Sequence, residues 1–231
     1  MWMSLDMAIT RPVASRASFV RWPGSNQPPP DGLRFDTDSA RSLELQEDEE
    51  YSGVRVRITA YLGSAQIRTQ VDVTFGDELV DDPIETELPA LLDFPGPRLR
   101  TYSAEASIAE KLQAMVRFGS SNTRMKDYFD VYTLSRERSF EGPRLEDQIS
   151  ATFTNRDTPL PSSVPTGLTE KIGRQRAGDW RAFLDDADAE RVPDDFSEVV
   201  AAVRKFVHPP LQSAAKGQTL GQRWHPDEGW T

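Results

Sequence analysis

From Val54 to Phe75 apolar and polar residues alternate. In VRVRITAYL, Val54, Val56, Ile58, Ala60 and Leu62 share one face of an extended chain, and Arg55, Arg57, Thr59 and Tyr61 share the other. In AQIRTQVDVTF, Ile67, Thr69, Val71, Val73 and Phe75 oppose Arg68, Gln70, Asp72 and Thr74. Side chains alternate along a strand, so each segment reads as a strand with one buried and one polar face. Gly63-Ser64 between them suits a two-residue hairpin turn with glycine first. That turn sets the register, with Val56 opposite Val71 and Arg55 opposite Asp72. Leu33–Phe35 and Ser42–Gln46 are shorter strand candidates upstream. The stretch DDPIETELPALLDFPGPRL has too many breakers for a long helix and reads as a surface loop.

After Ser103 the period changes. Ile108, Leu112, Met115 and Val116 recur at helical spacing, with Ser103 placed to cap the start and Gly119 to end it. A second helix opens near Arg124, with Met125, Tyr128, Phe129 and Tyr132 as its apolar face. Lys126, Asp127 and Asp130 lie together on the opposite side. Further helices are expected near 145–153, 178–187 and 196–207, the last stopped by His208-Pro209-Pro210. WPGSNQPPPDG is turn and extended-chain chemistry. The expected organisation is α+β: a poorly ordered segment 1–30, a β region 31–100, a helical region 101–211 and a flexible tail 212–231.

Composition narrows the function classes. The 231 residues contain no cysteine, which excludes disulfides and thiolate metal sites, and the two histidines, His208 and His225, make a histidine zinc site unpromising. No apolar run approaches the roughly 20 residues of a membrane span, and the start lacks the order of a secretory signal. A cytoplasmic protein is the expectation. The net charge of −10 argues against a generic duplex-binding protein. The charge is uneven, however: residues 54–70 carry Arg55, Arg57 and Arg68 and no acid, which leaves room for a local basic surface.

Three features carry candidate chemistry, each with an ordinary alternative. Lys111 sits at the edge of its helix's apolar stripe. It either snorkels to water or holds a phosphate as a compact point charge. Asp127 and Asp130, at i and i+3, share a face. They either bind a hard cation or accept a hydroxyl proton, or they favour the helix dipole while Lys126 pairs with Asp130 at i,i+4. Asp72 is either a cross-strand partner of Arg55 or a metal ligand on a sheet face.

In order along the chain, YSGVRVRITAYLGSAQIRTQVDVTFGD, IAEKLQAMV and TRMKDYFDVYTL resemble successive motifs of the AbiEii/AbiGii toxin family, the nucleotidyltransferase-like toxins of type IV toxin–antitoxin and abortive-infection systems. ATFTNRDT and DWRAF resemble its helical part, and the likeness runs from about Asp31 to Leu211. The resemblance implies a nucleotidyltransferase-like sheet followed by a helical half, and binding of a nucleoside triphosphate with Mg²⁺. It implies transfer of a nucleotide to an acceptor such as tRNA, and a cognate antitoxin as partner. Carried over by position, Asp72 is a third carboxylate beside the metal and Lys111 contacts the triphosphate. Lys126, Asp127 and Asp130 line the same cleft, with Asp127 as the general base. Arg55, Arg57 and Arg68 are the residues expected to hold RNA.

The chain departs from the family at its first motif, a Gly-Gly/Ser turn, a helix and then Asp-x-Asp on a strand. Gly24-Ser25 followed by Asp36-Thr37-Asp38 matches in letters, but the spacer NQPPPDGLRF cannot supply the helix. The expectation is either a true start further upstream or a truncated relative, with transfer activity impaired in the chain as given. The alternative is a non-catalytic remnant that binds tRNA or antitoxin.

Overall fold

The computed structural model describes residues 32–47, 51–74, 81–90, 96–187 and 192–231. The expected poorly ordered segment 1–30, with Gly24-Ser25, and Phe75 of the hairpin lie outside the described residues. Among the described residues the fold is α+β, with antiparallel sheet in the N-terminal half and six helices after it. It divides into two compact units: Met1–Glu78 with Thr86–Leu99, and Leu79–Glu85 with Arg100–Thr231.

The first unit is built on three antiparallel strands in the order β1 (Leu33–Glu47), β2 (Tyr51–Leu62) and β3 (Ala65–Thr74). β2 and β3 form the hairpin that the alternation predicts, with Val56 opposite Val71 and Arg55 opposite Asp72. Gly63 takes φ +58° in the turn, a conformation glycine adopts without penalty. The two upstream strand candidates are one strand, whose register shifts between Asp36 and Arg41. There the Ser39 hydroxyl accepts from the Thr59 amide (2.8 Å) and donates to the Asp36 carbonyl (2.6 Å), so a side chain satisfies ladder groups that the irregularity frees. The apolar face is not buried as its alternation led one to expect. Ala60 is covered, but Leu62, Ile67 and Val71 are 49%, 39% and 48% exposed.

Within the proline-rich connection read as loop, β4 (Ile84–Glu87) pairs with β5 (Arg98–Thr101). The Leu88 amide donates to the Pro97 carbonyl.

The second unit holds α1 (Ala104–Phe118), a 3₁₀ turn at Gly119–Ser121, α2 (Met125–Glu137), β6 (Phe140–Glu141), α3 (Gly142–Asn155), a 3₁₀ turn at Thr166–Leu168, α4 (Glu170–Gln175), α5 (Ala177–Ala187), α6 (Phe196–Lys216), β7 (Arg223–His225) and β8 (Gly229–Trp230). Its core joins Ile108, Leu112 and Met115 of α1 to Tyr128 and Val131 of α2, Leu145, Ile149 and Phe153 of α3, and the Val199–Leu211 stripe of α6. Trp180 stacks on Phe196, which Tyr128 meets edge-on.

α6 corrects two expectations. It runs through Pro209 and Pro210 to Lys216, and residues 212–231 are a structured end rather than a loose tail. Proline lacks the amide hydrogen, so Pro210 cannot donate to the Phe206 carbonyl four residues back. The Trp230 indole N–H donates to that carbonyl instead, at 2.9 Å. Trp224 is buried against Phe206 and donates its indole N–H to the Ser135 carbonyl at 2.7 Å. Gly217 closes the helix in the left-handed conformation (φ +60°).

Candidate functional site

α1 begins where the Ser103 hydroxyl accepts from the Ala106 amide, and it stops at Gly119 (φ +51°). Gly119 is required for a second reason: a Cβ there would lie 2.5 Å from the Thr166 hydroxyl. The Asn122 side-chain carbonyl then accepts from the Arg124 amide, turning the chain into α2. This short connection brings α2 against α1. It sets Asp127 and Asp130 opposite Lys111 rather than against water.

Lys111 Nζ lies 3.0 Å from Asp130 Oδ2 and 3.4 Å from Asp127 Oδ1. Lys126 Nζ reaches both oxygens of Asp130, at 2.7 and 2.9 Å, as its i,i+4 spacing predicts. The side chains of Lys111, Asp127 and Asp130 are 24%, 15% and 20% exposed, while Lys126 stands out in solvent. Two lysines and two aspartates therefore form one partly buried, charge-balanced network across two helices. Glu110, on another face of α1, meets Arg156 at 3.5 Å.

The titration behaviour follows the geometry. Burial raises the Asp127 carboxyl, and the neighbouring charges of Lys111 and Arg124 only partly offset it. Burial also works against the Lys111 ammonium, but its hydrogen bond to Asp130 and the charges of Asp127 and Asp130 outweigh that and raise it. The asymmetry has a simple origin. Lys111 has two carboxylates, whereas Asp127 must share its lysine with Asp130. At neutral pH Lys111 is firmly cationic, and Asp127 is the more basic of the carboxylates whose shift has a clear direction.

Asp72 is placed differently, on the sheet unit. Its two oxygens accept from Arg55 Nε (2.8 Å) and Nη2 (2.9 Å) across the strand pair, in the cross-strand geometry that the register predicts. That bidentate bond holds its carboxyl below the usual carboxylate value. Arg57 donates to the Gln70 side-chain carbonyl at 3.2 Å, and Arg68 is exposed on the same face. Asp36 accepts from the Asp38 amide at the irregularity of β1.

Does this donor set fit Mg²⁺? Both Asp72 oxygens hold a guanidinium, and Asp127 and Asp130 hold ammonium groups. Among the described residues no group of three or more acids or histidines could hold a metal ion. A hard cation demands several oxygens at once, so the described acids do not fit the metal that the resemblance implies.

Arg124 is the neighbour that the sequence reading left without a role. Its guanidinium lies 5.3 Å from the centroid of the Phe118 ring, with Arg117 at 5.8 Å. Its position three residues before Asp127 was the available signal. No described helix is long and apolar enough to cross a membrane.

The family model described as nucleotidyl transferase AbiEii toxin, type IV TA system, matches residues 28–202. No curated protein and no solved structure gives a match.

Proposed function

The chain belongs to the AbiEii family, the nucleotidyl transferase toxins of type IV toxin–antitoxin systems, and on that premise we propose that the Lys111–Asp127–Asp130–Lys126 network is the phosphate-recognition half of a nucleotidyl-transfer site. The family implies a cognate antitoxin as partner. The observation that carries the reading is Lys111: a partly buried cation on α1 held by two carboxylates of α2 at 3.0 and 3.4 Å. The two carboxylates fix the ammonium in place as a compact point charge, and a triphosphate would exchange with them for it.

In this reading the acceptor is a tRNA hydroxyl. Its oxygen attacks the α-phosphorus of a nucleoside triphosphate, and Asp127, the carboxylate with raised proton affinity, takes the hydroxyl proton. The bond to the bridging oxygen breaks, and pyrophosphate leaves with its charge balanced by Lys111 and Lys126. Asp130 keeps both lysines in place. The described acids do not form a metal cage, so no step is assigned to Mg²⁺ and transfer is expected to be slow.

A second reading rests on the sheet. Arg55, Arg57 and Arg68 share its polar face, and a protein that only holds RNA there would do so through phosphate contacts. Its affinity would fall steeply with salt.

One experiment separates the two. The full chain is mixed with each labelled nucleoside triphosphate and total tRNA, with and without Mg²⁺, alongside Lys111→Gln and Asp127→Asn. Label on tRNA that vanishes in both variants supports transfer at this network. Triphosphate binding that needs Lys111, without label on tRNA, supports recognition alone. Triphosphate binding and labelling that ignore both substitutions sink the assignment, and salt-sensitive tRNA binding lost in Arg57→Ala and Arg68→Ala then favours the sheet.

A further inference from the structure

The outer edge of β3 has a pattern that fits a second copy of itself. Among the described residues β3 is the last strand of its sheet, and no strand pairs with its far side. Leu62 opposite Ala65 closes the two-residue turn, which makes them a mutually hydrogen-bonded pair. Residues 65, 67, 69, 71 and 73 therefore aim their backbone groups at β2. Gln66, Arg68, Gln70, Asp72 and Thr74 aim theirs at the open edge. Such an edge templates strand addition unless something blunts it.

We propose that two copies of the chain join β3 to β3 antiparallel across a two-fold axis at Gln70, forming one continuous six-stranded sheet. Only even-numbered residues present backbone groups to the edge, so they must pair with one another. Among these registers, charge selects. Centring on Arg68 would set arginine against arginine, and centring on Asp72 would set aspartate against aspartate. Centring on Gln70 sets Arg68 opposite Asp72 of the second copy, and the reverse, by symmetry. Opposite charges directly across a strand pair are favourable, and like charges are not. The arrangement is isologous, as a two-fold contact must be.

The other face agrees. The same register sets Ile67 opposite Val73 and Thr69 opposite Val71. The exposed apolar row of one copy then continues into that of the other, covering part of the flanks of Ile67 and Val71. Asp72 keeps its bidentate bond to Arg55 on its own β2 and gains Arg68 of the second copy on its other side.

The test uses the full chain and its lack of cysteine. Sedimentation across a dilution series should give twice the chain mass for the native protein and the single mass for Arg68→Asp, with circular dichroism unchanged. Gln70→Cys should cross-link to itself on mild oxidation, because hydrogen-bonded strand partners stand about 5.5 Å apart at Cα, within disulfide reach. Gln66→Cys, which faces residue 74 of the second copy, should not. A native chain that is monomeric at every concentration, with no Gln70→Cys cross-link, overturns the proposal and leaves the edge to a different chain. A dimer that ignores Arg68→Asp and does not cross-link at position 70 overturns it equally, because the contact then lies elsewhere.

Discussion

Lys111→Met removes the charge at the centre of the helical network and keeps most of the aliphatic stem. At separations of 3.0 and 3.4 Å, and an effective dielectric of about 20, each attraction is worth about 5 kcal/mol before desolvation. Most of that is offset by taking the ammonium and two carboxylates partly out of water. Exposed pairs net about 0.2–1 kcal/mol, and breaking a fully buried pair costs about 3–5. The network lies between these limits, and Lys126 still neutralises Asp130 after the change. The expected loss is therefore about 1–2 kcal/mol at pH 7. Adding Asp127→Asn removes the carboxylate that Lys111→Met leaves alone, so the double variant should recover part of it, with a coupling of about 1 kcal/mol. Urea unfolding followed by tryptophan fluorescence reads this directly, because Trp180, Trp224 and Trp230 all lie in the helical unit. A change within about 0.5 kcal/mol for Lys111→Met and no coupling would return the charges to two independent solvated faces.

Carboxyl-carbon NMR should show Asp127 titrating above 3.8 and Asp72 below it. The signs are opposite for stability. The Asp72–Arg55 contribution is complete above 3.8 and is lost as pH falls through the folded value, whereas the cost of burying ionised Asp127 sets in as pH rises from 3.8 through its own raised value. Trp230→Phe keeps the ring that stacks near Phe206 but strands the carbonyl that Pro210 leaves without a donor. Chemical denaturation should register a loss of about 1–2 kcal/mol, and no loss would mean water serves that carbonyl equally well. Gly119→Ala should cost more than about 1 kcal/mol in thermal or urea unfolding, from the positive φ and the contact with Thr166 together.

Legibility depended on how local the information was. The β2–β3 hairpin could be read to the residue because alternation and a two-residue turn fix both face and register. α1 was bounded by its own cap and its own glycine. Alternation does not say what covers a face, and so it overstated the burial of Ile67 and Val71. The end of α6 was misjudged for a related reason. A proline inside a helix frees the carbonyl four residues back, and the one that Pro210 frees, on Phe206, finds its donor in Trp230, twenty residues further on. β1 was split because its pattern breaks at residues 36–41, where a serine side chain stands in for ladder bonds. The wheel of α2 correctly set Asp127 and Asp130 away from Tyr128. Their partial burial, however, comes from α1, and the periodicity of one helix cannot report its neighbour.

The same network makes binding and transfer separable. Lys111 is already held by Asp127 and Asp130, so an incoming triphosphate must compete with those carboxylates for it. Neutralising Asp127 removes one competitor. Asp127→Asn should therefore bind inorganic triphosphate at least as tightly as the native chain at pH 7, and Lys111→Gln should bind it more weakly. If Asp127 is the proton acceptor, Asp127→Asn should nonetheless lose transfer to tRNA. A purely structural Asp127 would give a different pattern, with stability changing and neither binding nor transfer moving on its own. Equilibrium dialysis at fixed pH makes the distinction without interference from titration of the phosphates. Weaker triphosphate binding by Asp127→Asn would refute the competition, and would place the carboxylate on the side of the ligand rather than against it.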